Sequence, residues 1–269
     1  MILVIKGADF SANNIGKVEI TTELAEVTME VMQNLTKYSA EKRNRYARAL
    51  DTMLKKLVSN DLWNSISMLS IPVMSASMDE CSYDVIGKFY AANVGKIYGL
   101  NEDNEMYWLG NNTGYENKAF FPVNITSDNM CLFGAMNVHD NTYGQVLGLG
   151  DSSGWFASKG GITFTKPEGL ILGGNTNVKL SEDRVGNTSA FVGNFTGTSV
   201  CYIDKKGTLS GVISSNTVKS YNQLYPALSS YDSGSSFSFK VFGCGVGLTT
   251  DKAEKLYRIL QDFADVFEL

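Results

Sequence analysis

The chain of 269 residues has one histidine, His139, and four prolines. A Ser/His/Asp triad would have to be built on His139, which sits in the turn-like stretch Asn137-Val138-His139-Asp140-Asn141. The one Gly-x-Ser-x-Gly string, Gly150-Asp151-Ser152-Ser153-Gly154, lies in a segment that reads as a connecting turn. Its cysteines, Cys81, Cys131, Cys201 and Cys244, are far apart and form no CxxC pair. Structural zinc needs closely spaced ligand pairs, so the expectation is buried free thiols and no metal. Long apolar runs are missing too. None approaches the roughly 18 residues that cross a bilayer, so no membrane insertion is expected. Met1–Ile5 is apolar, but Lys6 and Asp9 end it too early for a signal peptide. Positive charge is also short. The formal net charge is −5, which argues against nucleic acid as a partner. The densest basic run, Lys42, Arg43, Arg45 and Arg48, reads as the solvated face of a helix.

What is present is a globular core. Hydrophobic residues make up 43% and charged residues 19%, which excludes a disordered chain. Two helical signals come first. Thr22 can cap a segment with Leu24, Val27, Val31 and Leu35 on one face. Ser39 can cap a second, striped by Tyr46, Leu50, Met53, Leu54 and Leu57. Asp61–Leu69 reads as a short third helical turn, stopped by Pro72. Ile2–Ile5 reads as a strand.

From Cys81 onward the texture changes. Short β-branched and aromatic runs alternate with turn signals. Strands are predicted at Met106–Leu109, Ala119–Val123, Met130–Met136, Gln145–Leu149, Gly161–Thr165, Leu170–Leu172, Ser189–Phe195, Val200–Ile203 and Thr208–Val212. The stretch from Tyr202 through Lys205-Lys206-Gly207 to Leu209 is a hairpin signal. Phe237, Phe239, Val241 and Val246 form a last apolar strand, which Gly243, Gly245 and Gly247 are expected to break. Thr249 and Thr250 then offer N-caps to an amphipathic helix with Ala253, Leu256, Tyr257, Leu260, Phe263, Ala264 and Phe267 along one stripe. The expected fold is mainly β with helical additions: an antiparallel β-sandwich with an N-terminal helical insertion and a docked C-terminal helix. It is read as one domain, 1–269, with a strand region at 1–19, a helical layer at 20–72, a sandwich at 73–248 and the closing helix at 249–269.

Three blocks carry a resemblance. They are Ala8-Asp9-Phe10-Ser11-Ala12-Asn13-Asn14-Ile15-Gly16; the run from Ala49-Leu50-Asp51 through Leu57-Val58 to Asp61-Leu62-Trp63-Asn64-Ser65-Ile66 and Met68-Leu69; and Gly247-Leu248-Thr249 through Tyr257 to Phe263. Together they resemble the concanavalin A-like (laminin-G-like) jelly-roll proteins found in phage and prophage virions. The resemblance implies a structural role in a tail, fibre or capsid decoration. It carries over no site residue, because this fold hosts lectins, hydrolases and scaffolds alike.

Chemistry is sparse. A glycoside hydrolase needs two carboxylates facing across a cleft. The nearest group, Glu102, Asp103 and Glu105, reads as surface turn acids, as do Asp79, Glu80 and Asp84. Leu147-Gly148-Leu149-Gly150 and Leu172-Gly173-Gly174-Asn175 match no nucleotide fingerprint and read as turns or bulges. Asp151, Asp183 and Asp232 offer loop oxygens to calcium without an ordered acidic loop. The sequons at Asn111, Asn124 and Asn194 are read as chance. Glycan binding remains, because a sugar site pairs a flat aromatic with amides or carboxylates. Tyr115 beside Asn111 and Asn112, Tyr143 beside Asn141, and Trp155 beside Asp151 are the candidates. The competing reading puts Tyr143 and Trp155 in the sandwich core. The expectation is a non-enzymatic virion protein without a cofactor. It would be homo-oligomeric, bound to other virion proteins and to a host-surface glycan. A stand-alone carbohydrate-binding module and a glycoside hydrolase are the alternatives.

Overall fold

A computed structural model describes residues 39–75, 77–87, 89–91, 98–103, 105–108, 120–138, 144–150, 160–165, 169–173, 177–180, 189–213, 218–229 and 237–268. The strand read at Ile2–Ile5 and the helix capped by Thr22 lie outside these residues.

Helix α1 spans Ala40–Ser59, and the Ser39 side chain accepts from the Lys42 backbone N–H as the sequence implies. Its expected stripe, Tyr46, Leu50, Met53, Leu54 and Leu57, is buried. Fourteen strands of the described residues then join through antiparallel pairings. They are β1 Ile66–Ser70, β2 Tyr98–Leu100, β3 Met106–Trp108, β4 Phe121–Thr126, β5 Asn129–Val138, β6 Gly144–Gly150 and β7 Gly160–Thr165. The others are β8 Gly169–Gly173, β9 Asn177–Leu180, β10 Ser189–Thr196, β11 Ser199–Asp204, β12 Gly207–Val212, β13 Ser220–Ser229 and β14 Phe237–Gly245. Helix α2, Thr250–Asp265, follows with Thr249 as its cap. A one-turn helix at Met78–Cys81 and a small ribbon of Tyr83–Asp84 with Phe89–Tyr90 flank β1.

The strands form two layers. One runs β12–β11–β10–β5–β14, and the far edge of β14 is shared by β1 and by β3, which carries β2. The other runs β9–β8–β7–β6–β13–β4. A tight turn joins them, with Thr126 of β4 opposite Asn129 of β5. Alternation along β5 shows how the first layer serves two cores. Met130, Leu132 and Met136 face the interior between the sheets, while Cys131, Phe133 and Ala135 face the helices. The inter-sheet core gathers Phe121, Phe191, Phe195, Phe237, Phe239 and Phe242. The helical core joins α1 and α2 to the opposite face of the first layer through Leu50, Leu54, Leu256, Leu260 and Phe263.

The strands predicted from Met106 onward are found, within a few residues at their ends. The hairpin signal is met by β11 and β12, with Asp204 opposite Gly207. Gly207 has φ of +106°, a conformation open to a residue without Cβ, and Asp204 Oδ1 accepts from the Lys206 N–H inside the turn. Two readings are corrected. Asp61–Leu69 is not a helical turn beyond the 3-10 segment Trp63–Ser65, because Ile66–Ser70 pairs with β14 instead. A five-residue segment is too short for its periodicity to separate strand from helix. The glycines of β14 do not break it either. Gly243 and Gly245 lie within the strand, and a Cβ on them would sit 2.3 Å from Met68 O and 2.0 Å from Ser65 O. They are the space into which β1 fits.

Candidate functional site

Tyr115, Tyr143 and Trp155 lie outside the described residues, as do His139, Asp151, Asp183, Asp232 and Asn111. Asn194 is nearly fully buried, donating from Nδ2 to Leu248 O and accepting at Oδ1 from Leu248 N–H, both at 2.7 Å. Both faces of its amide are thus used to fasten the link between β14 and α2. Among the described residues, no group of three His, Cys, Asp or Glu side chains converges as metal ligands. The four cysteines are buried and not joined in disulfides, as the spacing implied, and burial pushes the thiols of Cys131, Cys201 and Cys244 above the ordinary range. An open groove of about 570 Å³ runs between α1 and α2, edged by Arg45, Arg48, Lys56, Glu41 and Asp262. Its walls carry both signs of charge over an apolar floor.

The acids divide sharply. Glu102 and Asp103 are exposed on the turn between β2 and β3, as expected. Glu105 and Asp84 are not surface acids, and both readings are corrected. Asp84 is fully buried, and its Oδ1 accepts from the N–H groups of Leu69 and Ile86 at 3.0 Å. Burial raises its carboxyl above the ordinary carboxylate range. It occupies a backbone donor on edge strand β1, which would otherwise be left for another strand to find.

Glu105 is 1% exposed and lies at the centre of a polar cluster. Local sequence builds the entry. The Asn101 side chain accepts from the N–H groups of Asp103 and Glu105, at 3.0 and 2.8 Å, closing the β2–β3 turn. That turn delivers Glu105 beside β14. One of its oxygens, Oε2, accepts from Ser238 Oγ at 2.5 Å and from Asn101 Nδ2 at 3.1 Å. The other, Oε1, accepts from Asn137 Nδ2 at 2.5 Å and lies 3.6 Å from Lys240 Nζ. Lys240, 3% exposed, reaches Asn137 Oδ1 at 3.3 Å and Glu268 Oε1 at 3.2 Å.

A β-bulge makes this possible. Phe239 stands opposite Met136, and Val241 opposite Ala135, so Lys240 is the extra residue of β14. Before it, Phe237 and Phe239 face the inter-sheet core; after it, Phe242 and Cys244 do. Lys240 is thereby turned with Ser238, Asn137 and Val241 to the helix side, where the stripe of α2 ends and Glu268 follows. The sequence signal was Val241-Phe242, two adjacent apolar residues that interrupt the alternation of Phe237-Ser238-Phe239-Lys240. Alternation alone would put Lys240 in water. Two charges removed from water are costly unless each is satisfied, and here four side chains share the task.

No family model and no curated protein matches the sequence. Solved structures do resemble it. A Trypanosoma rangeli sialidase in complex with the inhibitor DANA aligns with 78% of this chain at a TM-score of 0.51 and 12% identity. The same sialidase in complex with sialic acid aligns with 81% at a TM-score of 0.50 and 12% identity. Domain 4 of a GH43 extracellular arabinanase from Geobacillus stearothermophilus, in complex with arabinotriose, aligns at 0.43 over 72% of this chain and 99% of its own, at 11% identity. This chain spans 38% and 39% of the two sialidase chains. At such identity the sialidase likeness shows a shared β-sandwich fold.

Proposed function

We propose that this chain is a non-catalytic β-sandwich recognition module that binds carbohydrate through its loops. The observation that carries the carbohydrate part of this reading is the fold shared with the sialidase structures, one holding DANA and another sialic acid. The disposition of the acids supports the non-catalytic part. Glu105 is enclosed on the helix side and consumed by four side chains. The binding groups are then Tyr115, Tyr143 and Trp155, with their neighbouring amides and carboxylate.

A second proposal sets the module in a phage or prophage particle as an oligomer contacting other virion proteins and the host surface. Two of the three sequence blocks that carry the virion resemblance meet as a single helical layer, α1 with α2, on one face of the sandwich. Repetition suits such a role, because linked weak sites raise avidity without new contacts.

Glycan-array binding of the purified chain, followed by titration of Tyr115→Ala, Tyr143→Ala and Trp155→Ala, tests the first reading. Saturable binding that at least one substitution weakens tenfold or more supports it. Glycan hydrolysis lost in Glu102→Gln would overturn it in favour of an enzyme. Light scattering, alone and with neighbouring particle proteins, tests the second: a strict monomer in both settings removes it.

A further inference from the structure

The geometry points to a self-made covalent cross-link: an isopeptide bond between Lys240 Nζ and the side-chain carbonyl carbon of Asn137, with Glu105 carrying the proton. The inference does not depend on what the module binds. Three observations converge on it. The nucleophile and the electrophile are already adjacent on neighbouring strands, with Lys240 Nζ 3.3 Å from Asn137 Oδ1. The carboxylate bridges both reacting groups through one oxygen, 3.6 Å from Nζ and 2.5 Å from Asn137 Nδ2, the group that must leave. Lys240 and Glu105 are both shut away from water, at 3% and 1% exposure. Holding reactants at contact distance in a dry, ordered site replaces an improbable encounter by a unimolecular step. The partition of the Asn137 amide fits the charges, with its NH2 toward the carboxylate and its oxygen toward the ammonium.

The step balances without any co-reactant. Glu105 takes a proton from the Lys240 ammonium, leaving a neutral amine with a free electron pair. Nζ attacks Asn137 Cγ, forming the Nζ–Cγ bond and moving the carbonyl electrons onto Oδ1. Collapse restores the carbonyl and breaks the Cγ–Nδ2 bond. Nδ2 leaves with its own two hydrogens and the two that Nζ gives up, one of them delivered by Glu105. The products are a secondary amide that keeps one hydrogen and an ammonium ion, and Glu105 ends as a carboxylate. Ser238 Oγ and Asn101 Nδ2 hold the other oxygen of Glu105 throughout. Glu268 also binds Nζ, from the solvent side, and its contact must be released for the attack.

Such a bond would staple β5 to β14, the strand that hands the chain to α2. It closes a loop of about a hundred residues, the kind of constraint that raises resistance to unfolding.

Intact-mass measurement of the purified full chain, denatured, tests this first. The expected mass is lower than that of the sequence by one ammonia, with proteolysis yielding a branched peptide joining the Asn137 and Lys240 segments. Glu105→Ala, Asn137→Ala and Lys240→Met should each restore the full mass, whereas Glu268→Gln should still form the branched peptide. Folded wild-type chain at full mass overturns the proposal without reference to any variant. So does a loss of ammonia that maps to a cyclised asparagine or to other residues, and so does a branched peptide that persists in Glu105→Ala.

Discussion

The two faces of the first sheet are filled differently. Toward the second sheet it presents Phe191, Phe195, Tyr202, Phe237, Phe239 and Phe242. Toward the helices it presents mostly shorter chains, Ala135, Ala190, Val192, Cys201, Ile203 and Val241, with Phe133 the exception. Sheets pack about 10 Å apart, and interlocking rings fill that gap. Phe242 lies edge-on to Phe121 of the facing sheet at 5.1 Å and to Phe239 at 5.4 Å. The helices bring their own long side chains, so the sheet beneath them must be short-chained to keep interior density. Charge separates the faces as well. The inter-sheet core is built around aromatic rings, with the buried Ser70 bonded to Cys81 O at its margin, while the helix side ends in the Glu105–Lys240 cluster. One strand, β14, serves both environments, and its bulge is the point where it changes which residues face which.

The comparison can be broken most severely between the sheets. Phe242→Ala should cost about 3–5 kcal/mol, read by denaturant unfolding, because the ring is fully buried and its removal leaves a cavity in the core. Asn194→Ala attacks the helical side where α2 is fastened. It removes two hydrogen bonds and strands the backbone groups of Leu248, at a cost of about 1–3 kcal/mol with the sandwich intact.

Asp84 sharpens the contrast through pH. Its burial raises the folded pKa above the ordinary 3.8, so the folded chain holds that proton more tightly than the unfolded one. Its contribution is therefore most favourable below pH 3.8 and declines as pH rises through the folded value. Asp84→Asn keeps the Oδ1 acceptor and should flatten that part of the stability–pH curve. The smallest effect belongs to the surface. The Lys56–Asp262 pair, 2.6 Å apart, ties α1 to α2 but is open to water, and Lys56→Ala should change stability by about 0.5 kcal/mol or less at ordinary salt.

Local patterns were legible where one environment governed a whole element. The stripe of α2 is buried at Ala253, Leu256, Leu260, Phe263 and Ala264, with Ile259 added and Tyr257 and Phe267 only half-buried. Strands β5, β10 and β11 announced themselves by β-branched and aromatic content between turn residues. Strand β13, Ser220–Ser229, was missed because Pro226 and the polar Ser220, Asn222 and Gln223 blur the pattern. Strand β1 was missed because its five residues are too few to show a period. The polar cluster was illegible for another reason. Glu105 looked like one of three acids in a turn, and Lys240 looked like an outward-facing strand residue, 135 positions away.

The sequence by itself determined the two amphipathic helices with their Ser39 and Thr249 caps, most of the strands, the Asp204–Gly207 turn and the free state of the thiols. Each depends on the periodicity of nearby side chains or on the conformational limits of a few neighbouring residues. Only the tertiary structure decided that Ile66–Ser70 lies against the glycines of β14, that Asp84 guards that edge, and that Glu105, Asn137 and Lys240 meet. Those outcomes depend on register, and a single extra residue at Lys240 changes the face on which every later side chain of the strand falls.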